Sequence, residues 1–170
     1  MNTTIGQRLF LAAAVTLLTA GCCGPNSSKH PAGLPLCYRN EQYGLAFYLP
    51  ANWRGFEVSV NQWESQRNST ALDRAAVTER GPILVLRHPQ WTASSPYQDI
   101  PIVVFTRAQW ETHHPGTVGA GGLDEEISHN SKYVFAISSR YNADDSVRGW
   151  KETSEVVKRN RAARPHLYPE

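Results

Sequence analysis

The chain has 170 residues, of which 41% are hydrophobic and 10% aromatic, and carries a net charge of +2 at neutral pH. It is too apolar and aromatic for a disordered chain, and its near-neutral charge gives no field that argues for nucleic acid as a partner. The expectation is one domain of ordinary size, long enough to bury a real core.

Residues 1–21 read as an export signal. The amino terminus and Arg8 stand without an acidic residue, and Leu9 to Leu18 is apolar except for Thr16. Ten helical residues rise about 15 Å, half of a hydrocarbon core about 30 Å thick, so the stretch is too short to span a membrane. It runs into Thr19-Ala20-Gly21-Cys22, which resembles the lipobox of bacterial lipoproteins, with Thr19 where leucine is commoner and Cys23 as a second candidate. The resemblance implies that the Cys22 thiol takes a diacylglycerol, that residues 1–21 are removed and that the new amino group is acylated. Each buried methylene contributes about 0.8 kcal/mol, enough for two or three chains to hold the protein to a bilayer. The expected location is exported and lipid-anchored, at the cell membrane or the outer membrane. The competing reading is a secreted protein with Cys22 in a disulfide.

Loss of Arg8 with the signal lowers the net charge to +1. Residues 22–36 are rich in Gly, Pro, Ser, Asn and Lys without an apolar period, the composition of a flexible tether. Cys23 and Cys37 remain after lipidation, and their pairing would close a loop worth about 3 kcal/mol in the chain-entropy model. The globular domain is expected over 37–170.

Within it, Tyr38 and then Leu45 to Leu49 read as strand, ended by Pro50, and a turn runs from Asn52 to Gly55. Phe56 to Val60 alternates apolar and polar residues as a half-buried antiparallel strand does, and Trp63 extends it. Residues 62–81 turn polar, with 71–79 either a short helix or a long excursion; Asn68-Ser69-Thr70 is formally a glycosylation sequon, discounted for a bacterial exported protein. Pro82 to Arg87 and Pro101 to Phe105 are apolar, β-branched runs that predict central strands buried on both faces. Thr106 is placed to cap a short helix through Gln109, Trp110 and Glu111, ended by Pro115-Gly116, with a loop to about Asn130. Lys132 to Ser138 is a further strand. Asp144 or Asp145 can cap a last helix over about 146–160, with Val147, Trp150 and Val157 on one side. Successive strands with few, late helices make the fold α+β: an antiparallel or mixed β-sheet with a C-terminal helix packed across it.

Tyr38-Arg-Asn-Glu-Gln-Tyr43-Gly44-Leu-Ala-Phe47-Tyr-Leu-Pro50-Ala-Asn-Trp53-Arg-Gly55 resembles the start of PsbP/Mog1-like domains, in which a Gly-aromatic strand runs into Pro and then Trp. Gly44 can take φ > 0 as the strand begins, Pro50 ends the ladder, and Trp53 can close the end of the sheet. The resemblance implies a non-enzymatic accessory or scaffold role and carries no catalytic residue.

No motif points to catalysis. His113 and His114 are adjacent and diverge on a helix, with no carboxylate or cysteine at ligand spacing, so neither a metal nor a cofactor is expected. Gly116 to Gly122 lacks the Lys-Ser/Thr ending of a phosphate loop, and Asp124-Glu125-Glu126 misses the alternating pattern of a calcium loop. Lys158, Arg159, Arg161 and Arg164 form a basic run that is either a solvated helix end or a contact for lipid headgroups. Two function classes remain. A membrane-held binding or scaffold module would use an aromatic groove, with Trp63, His88, Trp91, Asp99 and Trp110 as candidates, to hold an envelope protein partner or ligand. An exported hydrolase-type enzyme would instead need His88, Asp99 or His129 to converge in a pocket.

Overall fold

The computed structural model describes residues 33–67, 77–112, 124–138 and 146–163. The expectations for the signal, Cys22 and Cys23, the sequon, His113 and His114, the glycine-rich loop, Asp144, Asp145 and Arg164 lie outside these residues.

The strands are β1 (Leu36–Asn40), β2 (Leu45–Leu49), β3 (Glu57–Arg67), β4 (Val77–Arg87), β5 (Ile100–Thr106), β6 (Asp124–His129) and β7 (Tyr133–Ser138), with helices α1 (Arg107–Thr112) and α2 (Trp150–Ala163) and a 3-10 turn over Ala51–Trp53. β1 and β2 form an antiparallel hairpin of their own, and the others form a five-stranded sheet in the order β3-β4-β5-β7-β6, antiparallel at every pairing. The fold is α+β, antiparallel sheets with the C-terminal helix against them.

The period of two in a strand explains the layering. Along β5, Ile100, Ile102 and Val104 join one apolar cluster while Val103 and Phe105 join another, and Phe135 and Ile137 alternate with Val134 and Ala136 in β7. The central strands are therefore buried on both faces, as their unbroken apolar runs predicted. On one face lie the hairpin, through Phe47 and Leu49, and α2, through Val156 and Val157. On the other, Trp63 and Trp110 pack with Phe105.

Two features explain how the sheet changes width. β4 pairs with β5 only over Ile83 to Leu86, while its pairing with β3 continues through Pro82 and Gly81 to Val77. Where β4 leaves, the indole Nε1 of Trp63 donates to the Val104 carbonyl at 3.1 Å, its ring lying on Gly81, where a Cβ would meet Nε1 at 2.5 Å. The carbonyl that the departing strand leaves is thus satisfied by a side chain, as a buried acceptor requires. α1 holds the same corner: Thr106 and Gln109 form a reciprocal capping box, with Gln109 N to Thr106 Oγ1 at 3.2 Å and Thr106 N to Gln109 Oε1 at 2.9 Å, and Gln109 Nε2 donates to the Arg80 carbonyl.

Four expectations differ from the structure. The ordered body reaches back past Cys37, since β1 begins at Leu36 and Leu34 is only 2% exposed in the core. Val77 to Gly81 is strand, lengthening β4 into the region read as helix or excursion. Residues 124–129, read as loop, are the edge strand β6; its one core residue, Ile127, sits at a β-bulge between Glu126 and Ser128, and Glu125 and Glu126 are exposed as an edge tolerates. α2 starts at Trp150 because Gly149 takes φ 84°, and its inward face is Thr153, Val156, Val157 and Asn160 rather than Val147, Trp150 and Val157. Asn160 imitates a strand there: its Oδ1 accepts Tyr48 N–H and its Nδ2 donates to the Tyr48 carbonyl, both at 2.8 Å, so α2 is hydrogen-bonded to β2.

Candidate functional site

The polar side chains converge where the 3-10 turn, the segment between β4 and β5 and the first turn of α2 meet. Glu152, in that first turn, is the centre. Its Oε1 accepts from Asn52 Nδ2 at 2.9 Å and from the buried Trp53 indole Nε1 at 2.7 Å, and its Oε2 accepts the Tyr97 hydroxyl at 2.7 Å. Burial raises the Glu152 pKa, but the hydrogen bonds from Tyr97, Asn52 and Trp53, with His88 nearby, outweigh it, and the carboxyl is held below its ordinary value. The carboxylate also stands at a helix N-terminus, where negative charge is favourable. Burial and the bond to Glu152 push the Tyr97 hydroxyl up to about 12.

The aromatic partners are packed tightly. The His88 ring stacks on Tyr97, with centroids 4.0 Å apart and planes 13° apart, and meets Trp53 edge-to-face at 4.9 Å. Tyr97 lies against Gly149, where any Cβ would overlap its ring, so the glycine is required both by this contact and by its positive φ. Arg148 covers the Tyr97 ring at 5.3 Å, and its carbonyl accepts Gln98 N–H at 2.8 Å. Glu152 thus joins three chain segments that lie up to 100 positions apart.

The five groove candidates do not share a site. Trp63 and Trp110 pack on the opposite face of the sheet from His88, because the alternation along β3 and β5 puts Trp63 and Phe105 on that side and α1 lays Trp110 against the Phe105 ring. Trp91 packs partly against the first cluster, under the Arg87 guanidinium at 4.1 Å, and Asp99 accepts a forked pair of bonds from Arg87, at 3.1 Å to Oδ1 and 2.7 Å to Oδ2. His88, Asp99 and His129 have separate partners: Nδ1 of His88 accepts Gln90 N–H at 3.1 Å, Asp99 holds Arg87, and His129 meets Glu126 at 2.6 Å on β6. Cys37 is buried, its Sγ directed at the Tyr38 carbonyl at 3.7 Å; its expected partner Cys23 is outside the described residues. In the basic run, Arg159 meets Glu155 at 2.9 Å and Arg161 meets Glu125 of β6 at 2.6 Å, while Lys158 is exposed. Such pairs contribute little to stability, but they engage charges that a headgroup contact would need. Among the described residues no group of three or more His, Cys, Asp or Glu could hold a metal, and no helix is long and apolar enough to cross a membrane.

Sequence reasoning named Trp53 and His88 but missed Tyr97, Glu152, Asn52 and Arg148, which complete the cluster. A glutamate in the first turn of a helix just after a glycine was the one local sign of it. Comparisons with protein-family models, curated proteins and solved structures found no match.

Proposed function

We propose that this chain is a lipid-anchored binding or scaffold module of the cell envelope, with a non-catalytic body. Glu152 carries this reading. A carboxylate that accepts three internal hydrogen bonds has most of its lone pairs committed within the fold, and, held below its ordinary pKa, it has no proton to give near neutral pH. Its partner Tyr97 keeps its proton until about pH 12. The best assembled polar cluster of the described residues is therefore a joint between elements. Residues 1–21 direct export and are removed, and Cys22, lipidated on its thiol and acylated on its new amino group, is the anchor. The PsbP/Mog1-like reading belongs to the same proposal and is supported by Gly44 at φ 66° before β2, by Pro50 after it, and by Trp53 buried under the sheet end. The envelope partner is a protein that docks on the body once the anchor holds it at the membrane.

The test is fractionation. Wild type partitions into the detergent phase with the membrane, and Cys22→Ser appears in the soluble fraction at comparable abundance. Membrane association retained in full by Cys22→Ser refutes the anchor.

A further inference from the structure

His88 has no place in the joint just described except as packing, yet it is 2% exposed, and its Nε2 has no hydrogen-bond partner. Its other nitrogen is committed. Nδ1 accepts the Gln90 N–H, so it carries a lone pair, and the proton of the neutral ring sits on Nε2. A second proton has only Nδ1 to bind, and Nδ1 cannot hold it while Gln90 N–H points at the same lone pair. Charging the ring and keeping the bond to Gln90 exclude each other.

That bond closes a tight turn, in which Trp91 N–H also donates to the His88 carbonyl at 3.0 Å. The turn holds two further contacts: Gln90 Oε1 accepts Arg148 Nη2 at 2.5 Å, and Trp91 lies under Arg87. We propose that protonation of His88 opens the 88–91 turn, making this surface acid-responsive and freeing Arg148 from its bond to Gln90.

The charged and titratable groups that face the ring are few. Glu152 from α2 attracts the proton, Arg148 before α2 opposes it, and Tyr97 stacks as a neutral phenol; Trp53 from the 3-10 turn carries no charge. Burial disfavours the cation more than Glu152 favours it, so the closed form holds His88 below its usual range. The open form, with a solvated ring, titrates near 6.5. Between these two values the open turn binds a proton that the closed turn does not, and opening becomes about tenfold more favourable for each pH unit of acidification. Glu152 stays ionised from about pH 7.5 to about pH 5, because its carboxyl is held below its ordinary 4.5.

The inference is independent of the membrane anchor, and the wild-type chain tests it directly. Nitrogen chemical shifts of the His88 ring report tautomer and titration, and amide hydrogen exchange of Gln90, corrected for intrinsic rate, reports the turn from about pH 7.5 to about pH 5. The expected result is an Nε2–H tautomer at the higher pH and a Gln90 protection that falls about tenfold per unit once acidification passes about 6.5. His88→Phe keeps an aromatic ring against Tyr97 without a titrating nitrogen, and its Gln90 exchange is then flat across the range. An Nδ1–H tautomer, a protection that is unchanged while His88 titrates, or a pH response that persists in His88→Phe overturns the proposal.

Discussion

Replacing Glu152 by glutamine keeps the shape of the side chain and removes the charge on which three donors converge. Hydrogen bonds to a charged acceptor contribute about 1.5–3 kcal/mol and neutral ones about 0.5–1.5 kcal/mol, so each of the bonds from Asn52, Trp53 and Tyr97 weakens by about 1 kcal/mol. Loss of the negative charge in the first turn of α2 adds about 0.5 kcal/mol. Partial exposure of Glu152 and the ability of the Tyr97 hydroxyl to turn and accept from the new amide reduce the sum to about 2–3 kcal/mol. For a body of about 130 residues that corresponds to a fall in Tm of about 8–12 °C, read by calorimetry at neutral pH. The pH dependence makes the test sharper. A carboxyl whose folded pKa lies below its ordinary 4.5 adds stability that is fully present above that value and lost as pH falls through the folded one. The gap between wild type and Glu152→Gln therefore narrows as pH falls below the ordinary 4.5. A fall of less than about 2 °C at neutral pH, or a gap as wide in acid as at neutrality, refutes the assignment of Glu152 as an ionised joint.

Three further outcomes are expected. Gly149→Ala places a methyl in the Tyr97 ring and a side chain at φ 84°, costing about 3 kcal/mol or more, and near-UV circular dichroism then shows loss of the aromatic signal or little soluble protein. Asn160→Asp keeps the acceptor for Tyr48 N–H but removes the donor to the Tyr48 and Val156 carbonyls, so the urea midpoint falls by the equivalent of about 2–4 kcal/mol. Tyr97, with a folded pKa of about 12 against an ordinary 10, adds stability that is lost as pH rises from 10 through 12; Tyr97→Phe lowers stability at neutral pH but lacks that alkaline limb, as measured by thermal melts across the range.

The sheet was legible in the chain wherever burial on both faces forces a run of β-branched and apolar residues. β2, β5, β7 and the C-terminal half of β4 show this, each bounded by proline, glycine or a polar turn. The cap at Thr106 was equally legible, because a capping box is a local exchange between two residues three apart. β6 was not: an edge strand with one inward residue, Ile127, in Asp-Glu-Glu-Ile-Ser-His carries almost no period. The start of α2 was placed too early because Gly149 breaks the helix for a tertiary reason, the Tyr97 ring, that no neighbouring residue reveals. Its inward face was misread because Asn160 is buried for its backbone-like bonds to β2 rather than for hydrophobicity. The site shows the same limit more strongly. Glu152 meets Asn52, Trp53 and Tyr97 across separations of 100, 99 and 55 positions, and a pairing set by chain topology leaves no spacing to read. The aromatic groove failed for a simpler reason, since Trp63 and Trp110 fall on the far side of a two-sided sheet.

The claim that the protein works as a membrane-tethered module stands or falls on its mature N-terminus. Intact-mass spectrometry of the detergent-extracted protein, with fragmentation of its first peptide, is expected to find a chain beginning at Cys22 with a diacylglycerol thioether on Sγ and an acylated amino group. An N-terminal residue other than Cys22, or a Cys22 sulfur that carries no lipid, contradicts it.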